Sequence, residues 1–205
     1  MTDSTLSRDQ SLTDQAKGKS EEMIYPIWLL FNPKHPAVRH YIWTPVLAEI
    51  QDLVYRELRK RIDSSKIYTR FAVSDSSIVP NTLNWWDAKV AAEIADFREL
   101  ASLHKPKILI SFGAFPFEFL RRVYAMKPEK GPKSWGTTNL GDEFVKSIEH
   151  FDLNKTNIFP LLRRVVESDK YIDDPDYTDK YFKYVGTNIA RRIIEHKDQL
   201  NIWMD

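Results

Sequence analysis

Five apolar residues in succession, Ile27-Trp28-Leu29-Leu30-Phe31, run directly into Asn32-Pro33-Lys34-His35-Pro36. A run of this kind lacks the alternation of a half-exposed strand and fits one covered on both faces. Proline stops it, because proline brings no N–H to a ladder. Strands covered on both faces belong to parallel sheets with helices above and below. In such sheets ligands bind beyond the carboxyl ends of the strands. Asn32 stands at such an end and is the first candidate for a functional residue.

The rest of the chain alternates between strand and helix signals. Thr44 followed by Pro45 predicts a helix start, with threonine as the cap and proline in the first turn. Val46, Leu47, Ile50, Leu53, Val54 and Leu58 recur at helical spacing behind it. Arg56, Arg59, Lys60 and Arg61 suit the negative end of that helix. Ile67 to Val73 predicts a second strand, and Asn84 caps a helix whose apolar stripe includes Val90, Ile94 and Phe97. Lys107 to Phe112 predicts a third strand, broken by Gly113, with Pro116 opening the next helix. Residues 127–141, with Pro128, Gly131, Pro132, Gly136 and Gly141, read as a long loop. Asn157 to Leu162 predicts a fourth strand and Tyr181 to His196 a closing helix. Right-handed crossovers then give an α/β fold: a three-layer α/β/α sandwich around a short, mainly parallel four-stranded sheet. Residues 1–22 are polar and read as a flexible arm, leaving residues 23–205 as a single domain.

Composition narrows the function classes. The formal net charge is +1, whereas a dedicated duplex-DNA binder is usually more basic. No cysteine is present, which excludes disulfides, thiolate metal sites, iron–sulfur clusters and thiol nucleophiles. That absence, and an N-terminus without an apolar signal core, lead to the expectation of a cytoplasmic protein. No stretch approaches the length of a membrane span. His35 and His40 share the first loop, but no third ligand accompanies them, so no metal is expected.

Few constellations carry chemistry. Asparagine orients a water or a substrate but is no strong base. Asn32 equally suits a turn that satisfies its own backbone. Ser111-Phe112-Gly113-Ala114 places a glycine turn before a helix, where free N–H groups suit an anion. Phe31, Tyr41, Trp43, Trp85, Trp86, Phe112 and Phe115 cluster near strand ends; most should be core, and one is available to stack on a base. Arg121, Arg122, Lys127, Lys130 and Lys133 form a basic stretch that suits either phosphates or solvent. Asp169, Asp173, Asp174, Asp176 and Asp179 form an acidic run that repels a phosphate backbone.

Three stretches, in order, resemble the uracil-DNA glycosylase superfamily. The first is the strand, Asn32-Pro33 and His40-Tyr41-Ile42-Trp43, similar to the thymine and mismatch-specific uracil glycosylase branch. The second is Lys105-Pro106-Lys107-Ile108-Leu109-Ile110-Ser111-Phe112-Gly113, similar to the strand of the bacterial thermostable branch. The third is Tyr181-Phe182-Lys183-Tyr184-Val185-Gly186-Thr187-Asn188, closing at Ile202-Trp203 as the uracil-specific branch closes. The resemblance spans residues 24–205.

It implies a protein that extrudes a nucleobase from DNA, single- or double-stranded, and hydrolyses its N-glycosidic bond without a cofactor. Asn32 then matches the residue that positions the hydrolytic water. Arg163 stands where the family has a histidine near the leaving group. Phe31, Pro33, His35, Tyr41, Ser74, Asp75, Phe112 and Gly113 surround the base. The chain departs from the pattern at Leu30, where the family has glycine. It departs again at Ser74-Asp75 in place of a base-reading asparagine, and at Leu162-Arg163-Arg164 in place of the His-Pro-Ser loop. These departures keep two alternatives open: a binding protein that retains the fold without catalysis, and a hydrolase of free nucleosides.

Overall fold

A computed structural model describes residues 24–78, 88–131, 134–164 and 177–204. The polar arm, Trp85 and Trp86, Lys133 and most of the acidic run lie outside them. Four strands, β1 (Ile27–Phe31), β2 (Ile67–Phe71), β3 (Ile108–Phe112) and β4 (Asn157–Leu161), form one sheet in the order β2-β1-β3-β4. Every pairing is parallel, so the sheet is wholly rather than mainly parallel. Among the described residues, five α-helices flank it: α1 (Thr44–Leu58), α2 (Ala88–His104), α3 (Ala114–Val123), α4 (Thr137–Glu149) and α5 (Tyr177–Glu195).

The apolar runs explain the layers. Side chains alternate across a strand, so Ile27, Leu29 and Phe31 enter one core while Trp28 and Leu30 enter the other. The first core packs under α1, α4 and α5, with Val46, Ile50, Phe144, Ile148, Val185 and Ile189. The second packs under α2 and α3, with Val90, Phe97, Phe117, Phe119 and Leu120. This is the expected three-layer α/β/α sandwich.

Several elements differ from the sequence expectation. Residues 137–141 are not loop but the first turns of α4. Gly136 and Gly141 read as breakers, yet Leu140, Phe144 and Ile148 recur every four residues and bury one face. Gly141 is exposed, where a missing side chain costs only propensity. Thr44 is not a cap either. A π-helical turn, Arg39–Trp43, leads directly into α1, and the Thr44 hydroxyl donates back to the Arg39 carbonyl at 3.0 Å. β2 ends at Phe71 and α5 starts at Tyr177.

Glycine decides one packing contact. A Cβ at Gly186 would lie 2.6 Å from the Glu49 Cβ and 3.2 Å from the Val46 carbonyl oxygen. The absent side chain lets α5 approach α1 at backbone distance. The C-terminal segment is tied to the loop before β2: Gln51 bonds both the N–H and the C=O of Ile62, and Asp63 N–H donates to Ile202 O at 2.7 Å.

Candidate functional site

Register sets the site. Ile27 pairs with Ile67 and with Ile108, and Ile108 pairs with Asn157, so the four strands begin and end together. Asn32, Ala72, Gly113 and Leu162 therefore follow at one edge. The chain leaves β1 toward β2 on one side, and leaves β3 toward β4 on the other. The crevice where these directions diverge is where α/β sheets bind ligands. It lies between Asn32 and Gly113.

Asn32 closes a tight turn. Its side-chain Oδ1 accepts the Lys34 N–H at 2.9 Å, and its carbonyl accepts the His35 N–H at 2.9 Å. The residue is 9% exposed. Its Nδ2 has no hydrogen-bond partner among the described residues. The turn thus uses one end of the amide and leaves the other to the crevice edge, while delivering His35 above the sheet.

Arg163 meets His35 there. Tyr181 of α5 accepts the Leu162 N–H through its hydroxyl at 2.7 Å, fixing the chain just beyond β4. Arg163 then lies across the end of β3. A Cβ on Gly113 would stand 2.9 Å from the Arg163 Cβ, so the glycine is the bed for the arginine stem. Gly113 has φ +89°, a conformation that side chains disfavour. From this position the Arg163 Nη1 contacts His35 Nε2. Guanidinium only donates, so His35 Nε2 accepts and the ring proton sits on Nδ1.

The local field is positive. Burial holds the His35 pKa below its ordinary value, and the charges of Arg163, Arg164 and Lys34 lower it further. Arg163 is itself depressed, by burial first and by Arg164 second; guanidinium stays protonated regardless. Neutral His35 beside these cations makes the crevice suited to an anion or to charge that develops as a group departs.

The remaining expected residues divide. Phe31 and Phe112 are 2% and 1% exposed, and their rings stack on each other at 4.6 Å and 5°. The edge of Trp43 packs against Phe112 as well, at 6.3 Å. The face expected to stack on a base is occupied by core, which corrects the stacking role for Phe112. Phe31 serves the same core. Tyr41, by contrast, is 74% exposed on the π-helical turn and keeps its ring available. Pro33 sits half-buried in the Asn32 turn.

Ser74 and Asp75 belong elsewhere. Ser74 donates its N–H to Glu93 Oε1 at 2.8 Å, and its hydroxyl bonds the same oxygen. Asp75 caps a short turn through Ser77, whose two hydrogen bonds, the hydroxyl's first, hold the carboxylate pKa low. Both line a separate depression against α2, with Lys89, Glu93 and Asp96.

The basic stretch resolves as structure rather than a phosphate track. Glu118 is fully buried on α3. Its carboxylate accepts Arg122 Nε at 3.1 Å, Lys130 N–H at 3.0 Å and Trp135 Nε1 at 2.8 Å. Arg121 lies over the Trp135 ring at 4.9 Å and donates to Pro128 O. Lys127 pairs with Glu129. Arg121 and Arg122, with the Lys130 N–H and Trp135, tie the loop after α3 to the Glu118 carboxylate.

The sequence reading did not assign Tyr181 a role or pair His35 with Arg163. Residues so distant in sequence carry no local pattern that would join them. Among the described residues, no group of His, Asp or Glu is arranged to hold a metal ion, and no helix is long and apolar enough to cross a membrane. No protein-family model, curated protein or solved structure matches this chain.

Proposed function

We propose that this chain is a divergent uracil-DNA glycosylase-like protein that works in the cytoplasm. On this reading it binds a nucleobase of DNA at the carboxyl edge of its sheet and hydrolyses the N-glycosidic bond. The observation that carries the reading is Arg163 lying over Gly113 to reach His35 beside Asn32. Water, oriented by the Asn32 amide, adds to C1′ of the sugar as the C1′–N bond breaks. The bonding electrons leave with the base, and the Arg163 guanidinium offsets that negative charge. The water proton passes to solvent. Tyr41 offers a ring on which the extruded base stacks.

A binding protein without catalysis is the second reading. The Asn32 Oδ1 bond to the Lys34 N–H favours it, because that oxygen already serves the turn. Base release from single- and double-stranded oligonucleotides carrying uracil or a mismatch separates the two. The glycosylase reading expects release by wild type and a loss of about a hundredfold or more in Asn32→Ala. A folded wild-type protein that binds such DNA and releases no base establishes the second reading.

A further inference from the structure

We propose a second binding site, for the phosphate backbone of single-stranded nucleic acid, at the opposite end of the sheet from Asn32. It is built on Arg59, Lys60 and Arg61, at the turn between α1 and β2. All three are exposed, and none has a carboxylate partner among the described residues. Of the nearby acids, Asp52 pairs with Arg56 at 2.9 Å and Asp63 holds Ser65, while Glu57 is exposed in the last turn of α1 and forms no ion pair with the three cations. In a chain with a net charge of only +1, three consecutive exposed cations are a concentrated cluster.

Two aromatic rings are set among the cations. The guanidiniums of Arg59 and Arg61 lie 5.6 and 5.3 Å from the centre of the Tyr55 ring, which is 43% exposed. The Lys60 ammonium lies 5.8 Å from the centre of the Trp203 ring.

The backbone beneath is held. Arg59 caps α1 in the left-handed conformation at φ 55°, with its N–H on Tyr55 O. Gln51 clamps Ile62, and Met204 N–H donates to Arg61 O at 2.9 Å. Ordering the loop therefore adds little to the cost of binding. Guanidinium matches phosphate in a bidentate fork. The exposed part of the Tyr55 ring, between two guanidiniums, suits an unstacked base, for which an acidic peptide has no use; Trp203 is half-buried against the first core and anchors the patch. The site is independent of the crevice and of any glycosidic chemistry there.

The test is fluorescence anisotropy with a labelled oligothymidylate lacking uracil, titrated at several salt concentrations. Wild type is compared with an Arg59→Gln/Lys60→Gln/Arg61→Gln variant, with Tyr55→Leu and with Lys127→Gln. The proposal expects the triple variant to bind about tenfold or more weakly, with its salt slope reduced by about 2. It expects Tyr55→Leu to weaken binding and Lys127→Gln, at an exposed cation outside both sites, to leave this affinity nearly unchanged. Photo-crosslinking of wild type to a thiothymidine oligomer should mark peptides containing Tyr55 or Trp203, a readout that depends on no variant's folding. An unchanged triple variant, or crosslinks confined to other peptides, overturns the proposal. Tighter binding to polyglutamate or to anionic vesicles than to the oligonucleotide also overturns it.

Discussion

Gly113 concentrates the local physics of the crevice in one residue. Its positive φ penalises any side chain, and its missing Cβ makes room for the Arg163 stem. Gly113→Ala is expected to cost about 1–3 kcal/mol and to push Arg163 away from His35. Chemical denaturation measures the first effect and ligand affinity the second. His35 adds a pH dependence. Its folded-state pKa lies below the ordinary 6.5, chiefly through burial. Below that ordinary value the unfolded chain takes up a proton that the folded protein resists. Stability is therefore expected to fall as pH drops from about 6.5 through the depressed value, and less so in His35→Asn. Melting temperatures at several pH values check this. Asn32 was legible as a strand-end residue because a run of five apolar residues and a proline mark that end locally. Arg163 was legible only as a position near the site. Its contact with His35 depends on the order of the strands, which no local signal carries.

Elements were readable where their buried face follows one period. The stripe in α1 and the continuous apolar runs of β1 and β3 lie where the spacing put them. α4 was hidden by two glycines, whose cost is small when a three-residue apolar stripe is buried. The loop after α3 misled in another way. Its charges read as solvated or ligand-facing, whereas Glu118 draws Arg121 and Arg122 inward and only Lys127 among its described cations stays in solvent with Glu129. Removing that carboxylate leaves Arg121 buried without its counter-charge and leaves Arg122 to Glu129, at 3.6 Å. Glu118→Ala is expected to destabilise the protein by about 3–5 kcal/mol, and Glu118→Gln, which keeps an acceptor for Trp135, by less. At the α1–α5 contact, Gly186→Ala gains helix propensity of about 1 kcal/mol. A carbon 2.6 Å from the Glu49 Cβ, however, forces the two helices apart. Overpacking costs about 1–3 kcal/mol, so net destabilisation is expected in urea titration.

At the scale of the whole molecule, the sheet separates two positively charged regions by the length of its strands. One, at the carboxyl edge, combines a half-buried histidine, an arginine and an asparagine amide. The other, at the start of β2, is an exposed cationic and aromatic turn. The central claim is that the carboxyl-edge crevice is where this protein meets a nucleobase of DNA. The most direct measurement is an amide chemical-shift titration of the protein with a uracil-containing single-stranded oligonucleotide, using the same oligonucleotide with thymine as reference. The account predicts uracil-dependent shifts at Asn32, His35, Tyr41, Gly113, Ala114 and Arg163. Shifts that are identical for both oligonucleotides, or that leave those amides unmoved at saturation, would contradict it.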